Sequence, residues 1–465
     1  MTAEAPAGRR AERTVLLAVA LGTILAPINS TMIAVALPSI MDEFDADVAS
    51  AGWLVTAYLI TLAALQPVTG KLGDRWGRRR LMLWGLAAFG LASLGAALAP
   101  SLPVLIVFRV LQAVAGAVTL PNGAALVREV VPAARRAHGF GLIGAAAGLA
   151  AAVGPTLGGL VIGAADWRAI FYVNVPIVVA ALLLSERAIP RRDGQKRDQS
   201  FDLLGAVLVC GVLVGAAGLL VEGRGSASAA VIALSGIALA AATAFLLWHE
   251  LRHDDPVIRP RLFRIRSFAA ANAGVGLGNL AFYTTLLAAP ILLVNRIGWS
   301  SVQVGLALTV LAAPSAILAP IGGRIADRIG RRAPAVFGHA LATLGLLPLV
   351  FGADESAALL LACLGVAGVG FGLTMATLQT SAVEAVPPDE AGVAAGLFST
   401  SRYLGSIVGS IVLAALLEST DTDVTGFQPL AVVIVVAAFL ATLVSLGLRG
   451  RTAPRPAQVV APVAR

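Results

Sequence analysis

Arg109 and Arg402 have the least expected surroundings in this sequence. Each stands inside a run otherwise free of Asp, Glu, Lys and Arg, 103–126 and 391–416. If such a run crosses a bilayer, Arg402 lies about 11 residues in at roughly 1.5 Å per residue, which is near the centre. A charge there costs at least about 2.5 to 3.5 kcal/mol, so the guanidinium must face a cavity or a partner. No carboxylate lies in the core of any run. Backbone carbonyls, Gln112 or an anionic group on a ligand are the remaining partners. Arg109 is shallower, about six residues from its end, and near enough to snorkel.

Groups able to carry a proton are few. Glu222 stands at the end of the run 203–221, and His339 lies early in 334–352. A desolvated carboxylate has a raised pKa and can exchange protons near neutrality, whereas a buried imidazole more often sits in a structural hydrogen bond. Between runs, Asp74 is set among Arg75 and Arg78 with Gly70 and Gly77 at fixed spacing, a pattern suited to an ion-paired gate. Cys210 and Cys363 lie far apart in apolar runs and read as small hydrophobes. No metal site and no cofactor are expected. Gly139 to Gly144 matches GxGxxG, but the dinucleotide fingerprint needs a preceding strand, and here an Arg-rich loop precedes it.

The elements that hold these residues follow from composition. Of 465 residues, 58% are hydrophobic and 13% charged, against roughly a quarter charged in a soluble domain. A soluble enzyme is excluded, and the bilayer is the expected solvent. Charge-free runs mark fourteen spans, near 14–36, 50–70, 81–99, 103–126, 139–163, 169–185, 203–221, 229–249, 268–294, 302–323, 334–352, 357–382, 391–416 and 427–448. The net charge of +8 comes from short basic clusters between runs, without the interleaved aromatics that stack bases. Nucleic acid is not an expected partner.

With the amino terminus inside, 29 of the 34 Lys and Arg fall on the inner side. Arg168, Arg224 and Arg296 lie outside, and Arg109 and Arg402 within spans. So steep a bias is what the positive-inside rule requires of a correct span count, and it places both termini in the cytoplasm. The first run resembles a secretory signal but is too long for one, so it is expected to be retained.

An internal repeat then appears. GKLGDRWGRR (Gly70 to Arg79) aligns with GRIADRIGRR (Gly323 to Arg332), pairing Asp74 with Asp327 and Arg75 with Arg328, eight spans apart. Parallel repeats of this kind mark the halves of certain secondary transporters. The first copy resembles motif A of the major facilitator superfamily. Phe108 to Gly116 is similar to that family's fourth-helix motif, Gly148 with Gly154, Pro155, Gly158 and Gly159 to its antiporter motif, and Trp167 to Pro176 to the sixth-helix entry of the fourteen-helix drug:proton antiporters.

The resemblance implies an all-α membrane protein of two six-helix bundles, 14–185 and 268–449, with two accessory helices at 203–250. Tails at 1–13 and 450–465 and linkers at 186–202 and 251–267 are cytoplasmic. It implies export of amphipathic small molecules by alternating access across the cytoplasmic membrane of a bacterium, with proton antiport. Asn29, Trp53, Arg109, Gln112, Tyr283 and Arg402 are the expected substrate pathway, Gly70, Asp74, Arg75, Gly77, Arg78, Asp327 and Arg328 the gate, and Glu222 or His339 the proton carrier. One departure matters: Asn29 and Ala34 stand where the subfamily signature has Asp and Asn. An amide cannot exchange a proton at working pH, so a uniporter or a differently coupled exporter is the alternative, and a polytopic enzyme or sensor a remote one.

Overall fold

A backbone in hydrocarbon has no water to bond to, so long apolar runs become helices. The computed structural model describes residues 9–189, 202–222, 228–253, 256, 259–295, 297–352, 356–387, 390–417 and 427–450. Among them there are fifteen α-helices and no strand. In order these are α1 (Arg9–Phe44), α2 (Val48–Trp76), α3 (Arg78–Ala97), α4 (Leu102–Val130), α5 (Ala133–Ala164), α6 (Ala169–Tyr172), α7 (Asn174–Ala188), α8 (Leu203–Glu222), α9 (Ala229–Arg252), α10 (Arg266–Asn295), α11 (Ser301–Ile329), α12 (Arg332–Leu346), α13 (Ala357–Glu384), α14 (Ala391–Leu417) and α15 (Phe427–Ser445). Together α6 and α7 make one rod. Among the described residues thirteen rods are long and apolar enough to cross a membrane, and α8, twenty residues long, holds a shorter apolar stretch, Val207–Ala216.

Local chemistry sets the ends. Asp47 accepts the Ser50 amide at 2.7 Å to start α2, and Ser300 with Gln303 forms a capping box on α11, each satisfying donors the helix cannot. Helices α3 and α4 part at Ser101, with Pro103 in the first turn of α4, where its missing N–H is no loss. Some helices outrun their apolar stretch: α1 spans Arg9–Phe44 rather than 14–36, through Pro27 and Pro38. Loss of apolar character marks where lipid ends, not where backbone hydrogen bonding ends.

Helices α1 to α7 pack on one another as one half and α10 to α15 as the other. The halves meet where α5 lies on α11 and α2 on α14. In the first half the outer ends of α1 and α6 are stitched together. Both oxygens of Glu43 accept from Arg168, at 2.6 and 2.7 Å, and Trp167 Nε1 donates to Oε2 at 2.6 Å. The Glu43 carboxylate holds the Arg168 guanidinium above its ordinary pKa. Helix α8 packs on α9, α2 and α14. Helix α9 buries almost none of its surface although it is apolar all round, and only lipid suits such a surface.

Candidate functional site

Polar side chains inside charge-free helices have two places to go, a network or a cavity. Both occur. The cavity, about 450 Å³, lies between the halves and extends from the middle of the helices toward their inner ends. Ser30, Tyr58 and Gln66 supply polar groups from the first half, and Asn279, Tyr283, Gln379, Arg402 and Tyr403 from the second. Phe282 and Phe371 meet edge to face at 5.4 Å in its wall. Among the described lining residues Arg402 is the one permanently charged group and there is no carboxylate. Its guanidinium lies 4.8 Å from the Tyr403 ring centre, which orients the charge without neutralising it.

His339, on α12, also lines the cavity. Its Nδ1 is 3.0 Å from Ser445 Oγ, which itself donates to the Ala441 carbonyl at 2.8 Å. With the hydroxyl hydrogen spent, Ser445 accepts, so Nδ1 carries the proton and Nε2 the lone pair. That lone pair sits beside Gly278, where an added Cβ would come within 2.8 Å.

Arg109 lies one layer deeper, and it does not snorkel. Fully buried, it stacks at 4.0 Å on Tyr58, whose side chain forms part of the cavity wall. Its Nε donates to the Leu54 carbonyl at 3.1 Å and its Nη1 to Gln112 Oε1 at 3.1 Å, while Nη2 makes no hydrogen bond. Gln112 Nε2 donates to Ser93 Oγ at 2.7 Å, and Asn29 Nδ2 to Gln112 Oε1 at 3.3 Å. Asn174 Nδ2 lies 3.5 Å from Asn29 Oδ1. Arg109, Gln112 and Asn29 are therefore brought together, but in a network behind the cavity wall. Trp53 packs on the main apolar core and does not line the cavity; of the expected pathway residues, Tyr283 and Arg402 do.

Among the described residues four side-chain hydrogen bonds join the halves, three of them outward of the midplane. Ser30 pairs with Tyr283 at 2.9 Å, Thr56 with Ser410 at 2.6 Å, and Thr156 with Thr309, while Gln66 Nε2 donates to Tyr403 Oη at 3.1 Å. The α5 glycines make the closest backbone approach there. A Cβ on Gly159 would strike the Ser301 carbonyl and come within 3.2 Å of Gly305 Cα, and one on Gly305 would strike the Pro155 carbonyl. Gly154 and Gly158 lie against Thr31 and Met32 of α1, whereas Gly148 meets Ala316 at an ordinary 3.6 Å. The outer mouth is shut.

Comparison with known proteins agrees with this architecture. The Major Facilitator Superfamily model matches residues 19–409 and 271–463. YvkA of Bacillus subtilis, an MFS-type transporter described as uncharacterised, is 35% identical over 95% of this chain and 97% of its own. The chain belongs to the major facilitator superfamily. Multidrug resistance protein Stp of Mycobacterium tuberculosis is 34% identical over 88% of this chain and 76% of its own. In fold, the chain is similar to a bacterial homologue of the lysosomal transporter Spinster, with a TM-score of 0.67 at 17% identity over 95% and 98% of the two chains. It is thus a multi-pass membrane transporter.

This major facilitator chain turns alike at the ends of its two repeated loops. Gly77 and Gly330 end α2 and α11 with φ of 90° and 94°, values that require glycine. In the second copy Asp327 accepts from Arg331 at 2.6 Å, not from Arg328. Arg331 also donates to both oxygens of Glu384 on α13, at 2.8 and 3.1 Å. Burial opposes the Arg331 charge, but the Glu384 and Asp327 carboxylates outweigh it and hold the pKa above its ordinary value. Arg79 donates to the Glu186 carbonyl at 2.9 Å and its counterpart Arg332 to the Leu446 carbonyl at 2.7 Å, so each copy caps the last helix of its half. The side chains of Asp74, Arg75 and Glu222 lie outside the described residues. Arg331→Ala leaves Asp327 and Glu384 facing each other. Transport is expected to fall about tenfold, as for loss of a 1–2 kcal/mol charged latch, and wild-type rates in proteoliposomes would exclude the latch.

Tyr58, Gln66, Asn279 and Tyr403 in the cavity, and the pairing of Glu384 with Arg331, were not expected from the sequence. A signal existed for the first four, since each is a polar group inside a long apolar run. Glu384 is an ordinary inner-end carboxylate until α13 is placed beside α12.

Proposed function

We propose that this chain exports amphipathic small molecules, neutral or anionic, across the cytoplasmic membrane of a bacterium by alternating access of its halves 14–185 and 268–449. The observation that carries the reading is the cavity lining: aromatic and amide side chains, one unneutralised guanidinium at Arg402, and no carboxylate among the described residues. A low-dielectric wall with a single positive charge favours anions and disfavours lipophilic cations. Relatives such as Stp, named for multidrug resistance, support drug-like cargo. Proton antiport is the coupling we favour, with His339 Nε2 as the acceptor beside the cavity.

A second reading rests on Asn29. An amide there, 3.3 Å from Gln112 and close to Arg109, takes up no proton, and an anion leaving a negative interior gains about 2.3 kcal/mol per 100 mV. Uniport of an anion is physically sufficient. Proteoliposomes with an internal pH dye separate the two readings. Antiport gives substrate-linked proton flux that His339→Gln abolishes, and uniport gives voltage-driven efflux without it. Arg402→Ala is expected to reduce efflux of anionic test drugs about tenfold or more, in line with loss of a buried charge contact, and to leave neutral ones near wild type. Equal loss for cations would overturn the assigned substrate class.

A further inference from the structure

The inner ends of the two accessory helices hold a side-chain cluster that neither the cavity nor the gates use. His249 and His253 are one turn apart at the end of α9, with ring centres 5.3 Å apart. Asp202 precedes α8, where its Oδ1 accepts the Gly205 amide at 2.7 Å and lies 2.8 Å from His249 Nε2. One ligand atom from each of Asp202, His249 and His253 falls within 4.8 Å of the others. Asp202 is 3% exposed, and its Oδ2 is buried without a hydrogen bond. A second buried carboxylate converges on the same point. A Cβ on Gly205 would strike Asp202 Oδ2 and come within 2.6 Å of Glu250 Oε1.

A buried carboxylate oxygen without a hydrogen bond, as at Asp202 Oδ2, calls for a positive charge beside it. A protonated His249 would satisfy Oδ1 and leave Oδ2 as it is. We infer that Asp202, His249 and His253 bind a divalent transition-metal ion of the zinc type at the inner ends of α8 and α9. Two imidazoles and a carboxylate match the ligand preference of zinc and leave a fourth position for water, whereas calcium and magnesium call for oxygen donors. The sequence reading expects no metal; histidines four apart on a helix, facing one side, are the signal it leaves unused. The ion would pin the start of α8 to the end of α9, and α8 rests on α2 and α14, the pair that meets across the halves.

The test uses purified, tag-free full-length protein in detergent, stripped with chelator and titrated with zinc chloride, with cobalt(II) as the spectroscopic probe. Expected are one zinc per chain, a rise in melting temperature that chelator reverses, and visible cobalt bands with imidazole character. Asp202→Asn tests the carboxylate but also weakens the α8 cap. His253→Gln is therefore the deciding variant, because His253 lies just past the last turn of α9 and is half-buried. It should fold as wild type and bind zinc more than about tenfold more weakly, the loss expected when a metal site loses a ligand. Equal zinc stabilisation of wild type and His253→Gln, or no stoichiometric zinc, would overturn the site and leave the His249–Asp202 ion pair as a structural contact.

Discussion

A Gly159→Val chain is expected to fold and reach the membrane yet transport at about a hundredth of the wild-type rate. At this position α5 and α11 touch backbone to backbone, the added Cβ meeting the Ser301 carbonyl and Gly305 Cα. Neither can rotate away as a side chain would. Overpacking costs typically about 1–3 kcal/mol. At the upper end, the outer-closed state loses about a hundredfold in population, since 1.4 kcal/mol is about a factor of ten. The obstruction lies between the halves, so each half still folds. In a background lacking Cys210 and Cys363, a cysteine at Thr309 should label faster from outside in the variant. Gly305→Val should behave alike from the other helix. Wild-type transport by Gly159→Val would show that closure does not need this contact.

Arg109→Leu should act on stability instead. The guanidinium joins α2 through the Leu54 carbonyl, α4 through Gln112, and the cavity wall through Tyr58. Removing it takes the donor from the Leu54 carbonyl and the cation from the Tyr58 ring, while Gln112 keeps Asn29 and Ser93, a loss of about 1.5–3 kcal/mol. Arg109→Lys keeps the charge but not the planar fork or the stacking, and should recover only part. Thermal melting in detergent reads this out. Because Tyr58 stands between Arg109 and the cavity, protein that survives should keep its substrate KM. An unchanged melting temperature together with a raised KM would return Arg109 to the substrate path.

The helices and their order were legible because lipid imposes one simple rule, that a span carries no charge without cause, and because 29 inward-facing cations fix the parity of the chain. The rotation of each helix was not. Whether Arg109 faces the cavity or the network behind it depends on where α2 sets Tyr58, and no periodicity reports that when lipid, protein and cavity faces are all largely apolar. The two repeated loops were half legible. Glycine at 77 and 330 follows from spacing, but Glu384 joins Arg331 only once α13 is in place.

The bonds that shut the outer mouth have one more property. All three are hydroxyl to hydroxyl, and two of their members have an alternative at hand: Thr309 donates to the Gly305 carbonyl and Ser410 to the Ile407 carbonyl, each at 2.9 Å. When the halves part, Thr309 and Ser410 keep these bonds to their own helices. Among the described residues the ion pairs on this side, of Arg168 with Glu43 and Asp166, lie within the first half, so the opening rate should be nearly indifferent to ionic strength and, over the neutral range, to pH. The mouth works as a zip fastener rather than a bolt, and the pace of the cycle is left to the cargo and to the charged loops on the opposite face.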